Sequence, residues 1–180
     1  MRSNALSPTR KVMKKSRPST LEKTSNFERM IHLADEFFDV KSDPAQISVN
    51  EQVMIALRKI HPSTMTEKRT SKGPIAWGLV IPTTYAVMQR FVSKEITERQ
   101  LLRLTHAGQT FVSIYLCSAL VLPEFRRRGY AERLLCNAVN EIRKDHPIEC
   151  LYYWSFSAVG TKLAKAIGTK FGLPLYRRKS

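Results

Sequence analysis

The residues best suited to chemistry lie in one run, Ser118-Ala-Leu-Val-Leu-Pro-Glu-Phe-Arg-Arg-Arg-Gly-Tyr-Ala131. An apolar segment of strand character leads into Pro123. Arg126, Arg127 and Arg128 follow, then Gly129. Beyond it Ala131, Leu134, Leu135, Ala138, Val139 and Ile142 recur at helical spacing. A turn at a helix N-terminus presents free backbone N–H groups and the positive end of the helix dipole, which together favour an anion. Gly129 has no Cβ and lets the backbone approach a ligand closely. Ala131 is small enough to pack beside a bulky group. The three guanidinium groups add positive charge where a diphosphate would rest. The chemistry expected of Leu120, Val121, Leu122, Arg126, Arg127, Arg128, Gly129, Tyr130 and Ala131 is therefore anion binding, carried mainly by main chain.

Elements of alternating type must position this turn. Phe111 to Leu122 reads as a strand, 130–144 as a helix, Ile148 to Trp154 as an aromatic-rich strand, Ser157 to Ile167 as a helix and Phe171 to Tyr176 as a last strand. The alternation predicts an α/β fold with at least one parallel strand pair: a mixed, partly parallel sheet flanked by helices. The first half reads as mainly helical. Ser25 or Asn26 caps a helix through Phe27, Met30, Ile31, Ala34 and Phe37. Ser48 caps a second, with Glu51 completing a capping box ahead of Val53, Met54, Leu57 and Ile60. His61 to Pro74 reads as a loop. Ile75 to Ile81 reads as a strand ended by Pro82. Thr83-Thr84 caps a helix through Phe91, and Thr97 with Gln100 forms another capping box.

The composition bounds the partners. Lysine and arginine outnumber aspartate and glutamate by 30 to 15, a net charge of +15, which draws the chain towards anions. Residues 1–24 hold seven of the basic residues against Glu22 alone and bury little, so they read as a disordered tail. Such a segment would also suit an organellar transit sequence, but no apolar block follows it as in a secretory signal. Residues 25–180 read as one domain. Three scattered cysteines argue against a disulfide framework and fit a reducing, cytoplasmic setting. No run is long enough to span a membrane. His32, His61, His106 and His146 show no ligand spacing, so no metal site is expected.

Arg126-x-x-Gly129-x-Ala131 resembles the acyl-CoA signature (Gln/Arg)-x-x-Gly-x-(Gly/Ala) of the GNAT acetyltransferase superfamily. The lead-in Val121-x-Pro123-Glu124-Phe125-Arg126 is similar to that family's Val-x-Pro-Glu-(Tyr/Phe)-Arg. The resemblance covers residues 112–173. It implies a GNAT-like domain that takes acetyl-CoA as acyl donor and transfers the acetyl group to an amine. The strand end Leu120–Leu122 would offer backbone groups to the pantetheine arm. The backbone from Arg126 to Ala131 would cradle the pyrophosphate. Ser157, opening the next helix, would join the cofactor site. The strand Ile148 to Trp154 would splay away to admit the thioester.

Two family positions depart from the pattern. The place of the family's usual glutamate base is Tyr115, and the place of its tyrosine acid is Ala164. Tyr115, Tyr152, Tyr153 and Tyr176 remain as substitutes, with Tyr153 preferred and Tyr115 next. A phenol titrates near 10, so Tyr115 would be a weak base unless strongly perturbed. The alternation of a strand places Tyr115, Cys117, Ala119 and Val121 on one face. Two competing readings stand beside the acyltransferase. One is a nucleic-acid-binding protein using the tail, the arginine triplet and Tyr176-Arg177-Arg178-Lys179, although no known reader motif is present. The other is a CoA-binding protein without catalysis.

Overall fold

The computed structural model describes residues 25–38, 45–47, 50–154 and 157–178. The tail 1–24 lies outside the described residues, and so does Ser48. The described residues form six α-helices and a five-stranded sheet in the order β1-β2-β3-β4-β5. The strands are β1 (Met65–Thr70), β2 (Gly73–Thr83), β3 (Ser113–Val121), β4 (Cys150–Trp154) and β5 (Leu175–Arg178). The first three pair antiparallel, and β3, β4 and β5 pair parallel. The helices are α1 (Asn26–Phe38), α2 (Glu51–Ile60), α3 (Tyr85–Val92), α4 (Glu98–Leu104), α5 (Tyr130–Asp145) and α6 (Ala158–Phe171). The expected α/β class and partly parallel sheet are present. No described helix is long and apolar enough to cross a membrane.

Both parallel crossovers run through helices on one face. There α5 and α6 bury Leu135, Val139, Ile142, Ala164 and Ile167 against Val80, Ile114, Leu116, Leu151 and Tyr153. The other face is covered in two patches. Residues of α2, α3 and α4 enclose Leu79, Ile81, Tyr115 and Tyr152. Met30 and Leu33 of α1 cover Ile75, Leu120 and Leu122. At the end of α2, His61 Nδ1 accepts the Ser63 N–H at 3.1 Å, which leaves Nε2 to donate to Asp145 Oδ2 at 2.9 Å. That bond ties the first helical layer to the end of α5.

The first half is mainly helical as expected, but it holds one strand more than the sequence suggests. The segment expected as a loop, 61–74, supplies β1, which hairpins onto β2 through Ser71-Lys72. Its sequence, Met-Thr-Glu-Lys-Arg-Thr, is polar because β1 is an exposed edge strand. Charge there suppresses pairing with other chains, and it also erases the apolar alternation that would mark a strand. Pro82 does not end β2, which continues to Thr83. β1 pairs no farther than Leu79, so at Pro82 one edge of β2 is open and the missing N–H deprives no partner strand. The cap of α2 is Asn50, whose side chain accepts the Val53 N–H, in place of the expected Ser48. The other caps hold: Ser25 pairs reciprocally with Glu28, Thr84 caps α3, and Thr97 with Gln100 closes a capping box on α4.

Candidate functional site

The site grows from an irregularity in β3. Val80 of β2 pairs with Leu116 and Leu79 pairs with Ser118, so Cys117 has no residue opposite it. This β-bulge shifts the alternation by one. Tyr115 and Cys117 belong to the cluster under α2–α4, whereas Ala119 packs with the α5 cluster and Leu120 with the α1 cluster. The expected single face of Tyr115, Cys117, Ala119 and Val121 is therefore broken at the bulge. A period-two reading cannot foresee an inserted residue.

The bulge coincides with a parting of strands. The β3–β4 pairing runs from Ser113↔Cys150 to Leu116↔Tyr153 and stops, while β4 stays with β5 as far as Trp154↔Arg178. From Cys117 to Val121 β3 has no β4 partner among the described residues, which leaves a gap in the pairing on the side away from β2. Leu120 and Leu122 bury their side chains under α1 and leave only backbone for a ligand. Val121 O already accepts Arg126 Nε at 3.1 Å.

The strand leads directly into the arginine turn expected to bind an anion. A 3-10 turn, Pro123–Phe125, carries the chain to Arg126. Arg127 (φ 59°) and Gly129 (φ 71°) are both left-handed. For a non-glycine residue this conformation costs on the order of 1–3 kcal/mol, and it gathers successive N–H groups into a concavity that suits an anion. Gly129 is the N-cap of α5 and no side chain caps that helix. Arg126, Arg127, Arg128 and Gly129 are exposed, and Tyr130 and Ala131 are half-buried. A Cβ on Gly129 would meet only Arg133 Nη1, at 3.7 Å, so the space in front of the turn is open.

Further contacts hold the turn. Glu124 forms a bidentate pair with Arg29 of α1, at 2.7 and 2.8 Å. The same residue's carbonyl accepts Arg128 Nη2 at 3.3 Å. Gly78 of β2 lets α5 lie close to the sheet, since a Cβ there would stand 3.2–3.3 Å from Leu135 and Leu134 and 2.8 Å from Thr66 Oγ1. Ser157 caps α6, its Oγ accepting the Gly160 N–H at 3.0 Å. The N-termini of α5 and α6 thus follow the C-terminal ends of adjacent parallel strands, the usual location of ligand sites in α/β sheets.

The two tyrosines singled out in the sequence are not brought together. Tyr153 is buried on the α5–α6 face in the same cluster as Ala164. Tyr115 is fully buried on the other face, stacked on Tyr152 with ring centroids 5.2 Å apart. Tyr152 is itself occupied, its hydroxyl lying 2.8 Å from Thr83 Oγ1. Tyr115 donates to Glu98 Oε1 at 2.6 Å. Burial, reinforced by the neighbouring Glu98 carboxylate, pushes the Tyr115 phenol well above its ordinary value. It holds its proton and cannot serve as a base.

The residue that sequence reasoning missed is Glu98, in the first turn of α4, 4% exposed. Its burial raises its affinity for a proton, opposed by hydrogen bonds from Tyr115, Ile47 N–H and Cys117. In sequence it stands beside Thr97 within a capping box, where an acidic residue reads as a favourable charge for the helix dipole. No local signal announces its burial. A comparison with protein-family models finds no match to this chain, and no curated protein matches it significantly.

Proposed function

We propose that this protein is an acyl-CoA-dependent N-acyltransferase of the GNAT type, acting in the cytoplasm and moving an acetyl group from acetyl-CoA to an amine. One observation carries the reading: β3 parts from β4 at a bulge and runs without interruption into an uncapped, arginine-rich helix N-terminus. A pantetheine arm contains amide groups and can add to the free edge of β3 as a strand would. The diphosphate then falls at Arg126–Ala131. The thioester carbon falls near Cys117, where the gap opens and an amine can reach it. A thioester is already activated, so holding it beside the amine supplies much of the rate. Main-chain N–H groups at the gap can support the oxyanion.

Calorimetry and thermal shift with CoA and acetyl-CoA test this, with RNA and DNA as comparators. A ligand that binds only the native state stabilises it by about 2.7 kcal/mol at a hundredfold excess over Kd. CoA is expected to raise the melting temperature at low salt and at physiological salt. No shift and no heat at millimolar CoA would remove the proposal. Strong, salt-sensitive RNA or DNA binding without CoA binding would favour the nucleic-acid reading. CoA binding with no CoA release across a panel of amines would favour a binding protein without catalysis, a reading supported by the sealed Tyr115 and by Ala164.

A further inference from the structure

Glu98 is the one carboxylate among the described residues that is buried. A buried carboxylate held for stability alone is normally paired with a cation. Glu98 is not. Its donors among the described residues are neutral: the Tyr115 hydroxyl at 2.6 Å and the Cys117 thiol at 3.6 Å on Oε1, and the Ile47 N–H at 2.8 Å on Oε2. The cation whose charge bears on it, Arg178 of β5, directs Nη1 to the carbonyls of Phe91 and Ile96 and lies over the rings of Phe91 and Trp154. It attracts Glu98 from a distance without forming an ion pair. Tyr152 of β4, stacked on Tyr115, adds a further neutral hydroxyl on this side of the sheet.

Cys117 connects this cluster to the gap. It is the unopposed residue of the bulge and, among the described residues, the first of β3 without a β4 partner, and it is half-buried while Tyr115 and Glu98 are buried. We infer that Glu98 is the proton acceptor of the acyl transfer, reached from the gap between β3 and β4 through the Cys117 side chain. The inference rests on the acyltransferase reading above. As the amine attacks the thioester carbon, a C–N bond forms and the nitrogen gives up a proton. That proton passes to the Cys117 sulfur while the thiol proton passes to Glu98. When the C–S bond breaks, the same route in reverse protonates the departing CoA thiolate, and the protein returns to its starting state. A carboxyl whose proton affinity is raised by burial suits both halves of the exchange.

Glu98 acts through Cys117 and does not touch the substrate, so the test needs a readout beyond loss of rate. Glu98→Gln keeps an acceptor for Tyr115 and is expected to bind CoA like the parent by calorimetry. Its turnover is expected to fall roughly a hundredfold, with loss of the acidic limb of the pH profile. Cys117→Ser, which still relays a proton, is expected to keep that limb; Cys117→Ala is expected to lose turnover without losing CoA. Infrared difference spectra of parent against Glu98→Gln give a second readout that needs no amine. A protonated carboxyl band belonging to Glu98 is expected, with a midpoint that moves when acetyl-CoA fills the gap. Parent-like turnover and pH profile in Glu98→Gln would overturn the inference, as would a Glu98 band indifferent to bound acetyl-CoA. In either case acetyl-CoA binding would leave the acyltransferase reading standing. If the parent fails to bind CoA, that reading falls first.

Discussion

Replacing Gly129 separates the backbone demand of the anion turn from its electrostatic demand. The residue sits at φ 71°, and a Cβ would meet nothing closer than 3.7 Å, so Gly129→Ala carries a conformational penalty without a clash. The left-handed region costs an L-residue about 1–2 kcal/mol, partly offset by the smaller entropy of the unfolded chain, which leaves roughly 1 kcal/mol. For a domain of this size that lowers the melting temperature by about 2–4 °C. Asparagine tolerates this conformation better, so Gly129→Asn should fall between parent and alanine. Gly129→Glu has a similar backbone penalty, offset by about 0.3–1 kcal/mol because an acid is favourable at a helix N-terminus. It should therefore fold. Its carboxylate would stand about 5 Å from a bound phosphate, where Coulomb's law gives roughly 0.8 kcal/mol per charge pair in water and roughly 3.3 at an effective dielectric of about 20. Two phosphate charges double these values, so CoA should bind at least about tenfold more weakly. Thermal unfolding and calorimetry on the three variants read both effects. Parent-like CoA affinity in folded Gly129→Glu would place the phosphate site elsewhere, and an unchanged melting temperature in Gly129→Ala would refute the backbone argument.

Three further outcomes follow from the geometry. Gly78→Ala should destabilise the protein by about 1–3 kcal/mol, because its Cβ would press on Thr66, Leu134 and Leu135 together; chemical denaturation measures it. Glu124→Ala and Arg29→Ala should each weaken CoA binding by a few-fold with little loss of stability. The pair is exposed but bidentate and fastens the turn to α1, so the exchanged pair Arg29→Glu with Glu124→Arg should recover affinity in calorimetry. Glu98 binds its proton more tightly folded than unfolded, so stability should fall as pH rises from the ordinary glutamate value through the raised one. Denaturation midpoints of Glu98→Gln across the same range should lack that decline.

Much of the second half was legible in the sequence because its signals are local. The helical stripe from Ala131 to Ile142, the glycine before it and the serine ahead of α6 each act within a turn of the chain, and α5 and the Ser157 cap stand where those signals put them. The arginine turn belongs with them as a local structure, since a helix N-terminus and its preceding glycine are set by neighbours in sequence. The rest depends on partners distant in sequence. β1 is a strand because β2 offers it main-chain hydrogen bonds, and its own polar residues say nothing of that. The bulge at Cys117 arises from the register between β2 and β3, and it alone turns Ala119 away from Tyr115. Glu98 reads as a surface helix-cap acid until Tyr115, Cys117 and Ile47, brought from 17, 19 and 51 residues away, enclose it. Sequence could place a tyrosine at position 115, but its environment, and with it the direction its proton affinity shifts, was decided only by what packs on it. Burial is a property of the assembled layers, and electrostatics in a low dielectric follows burial.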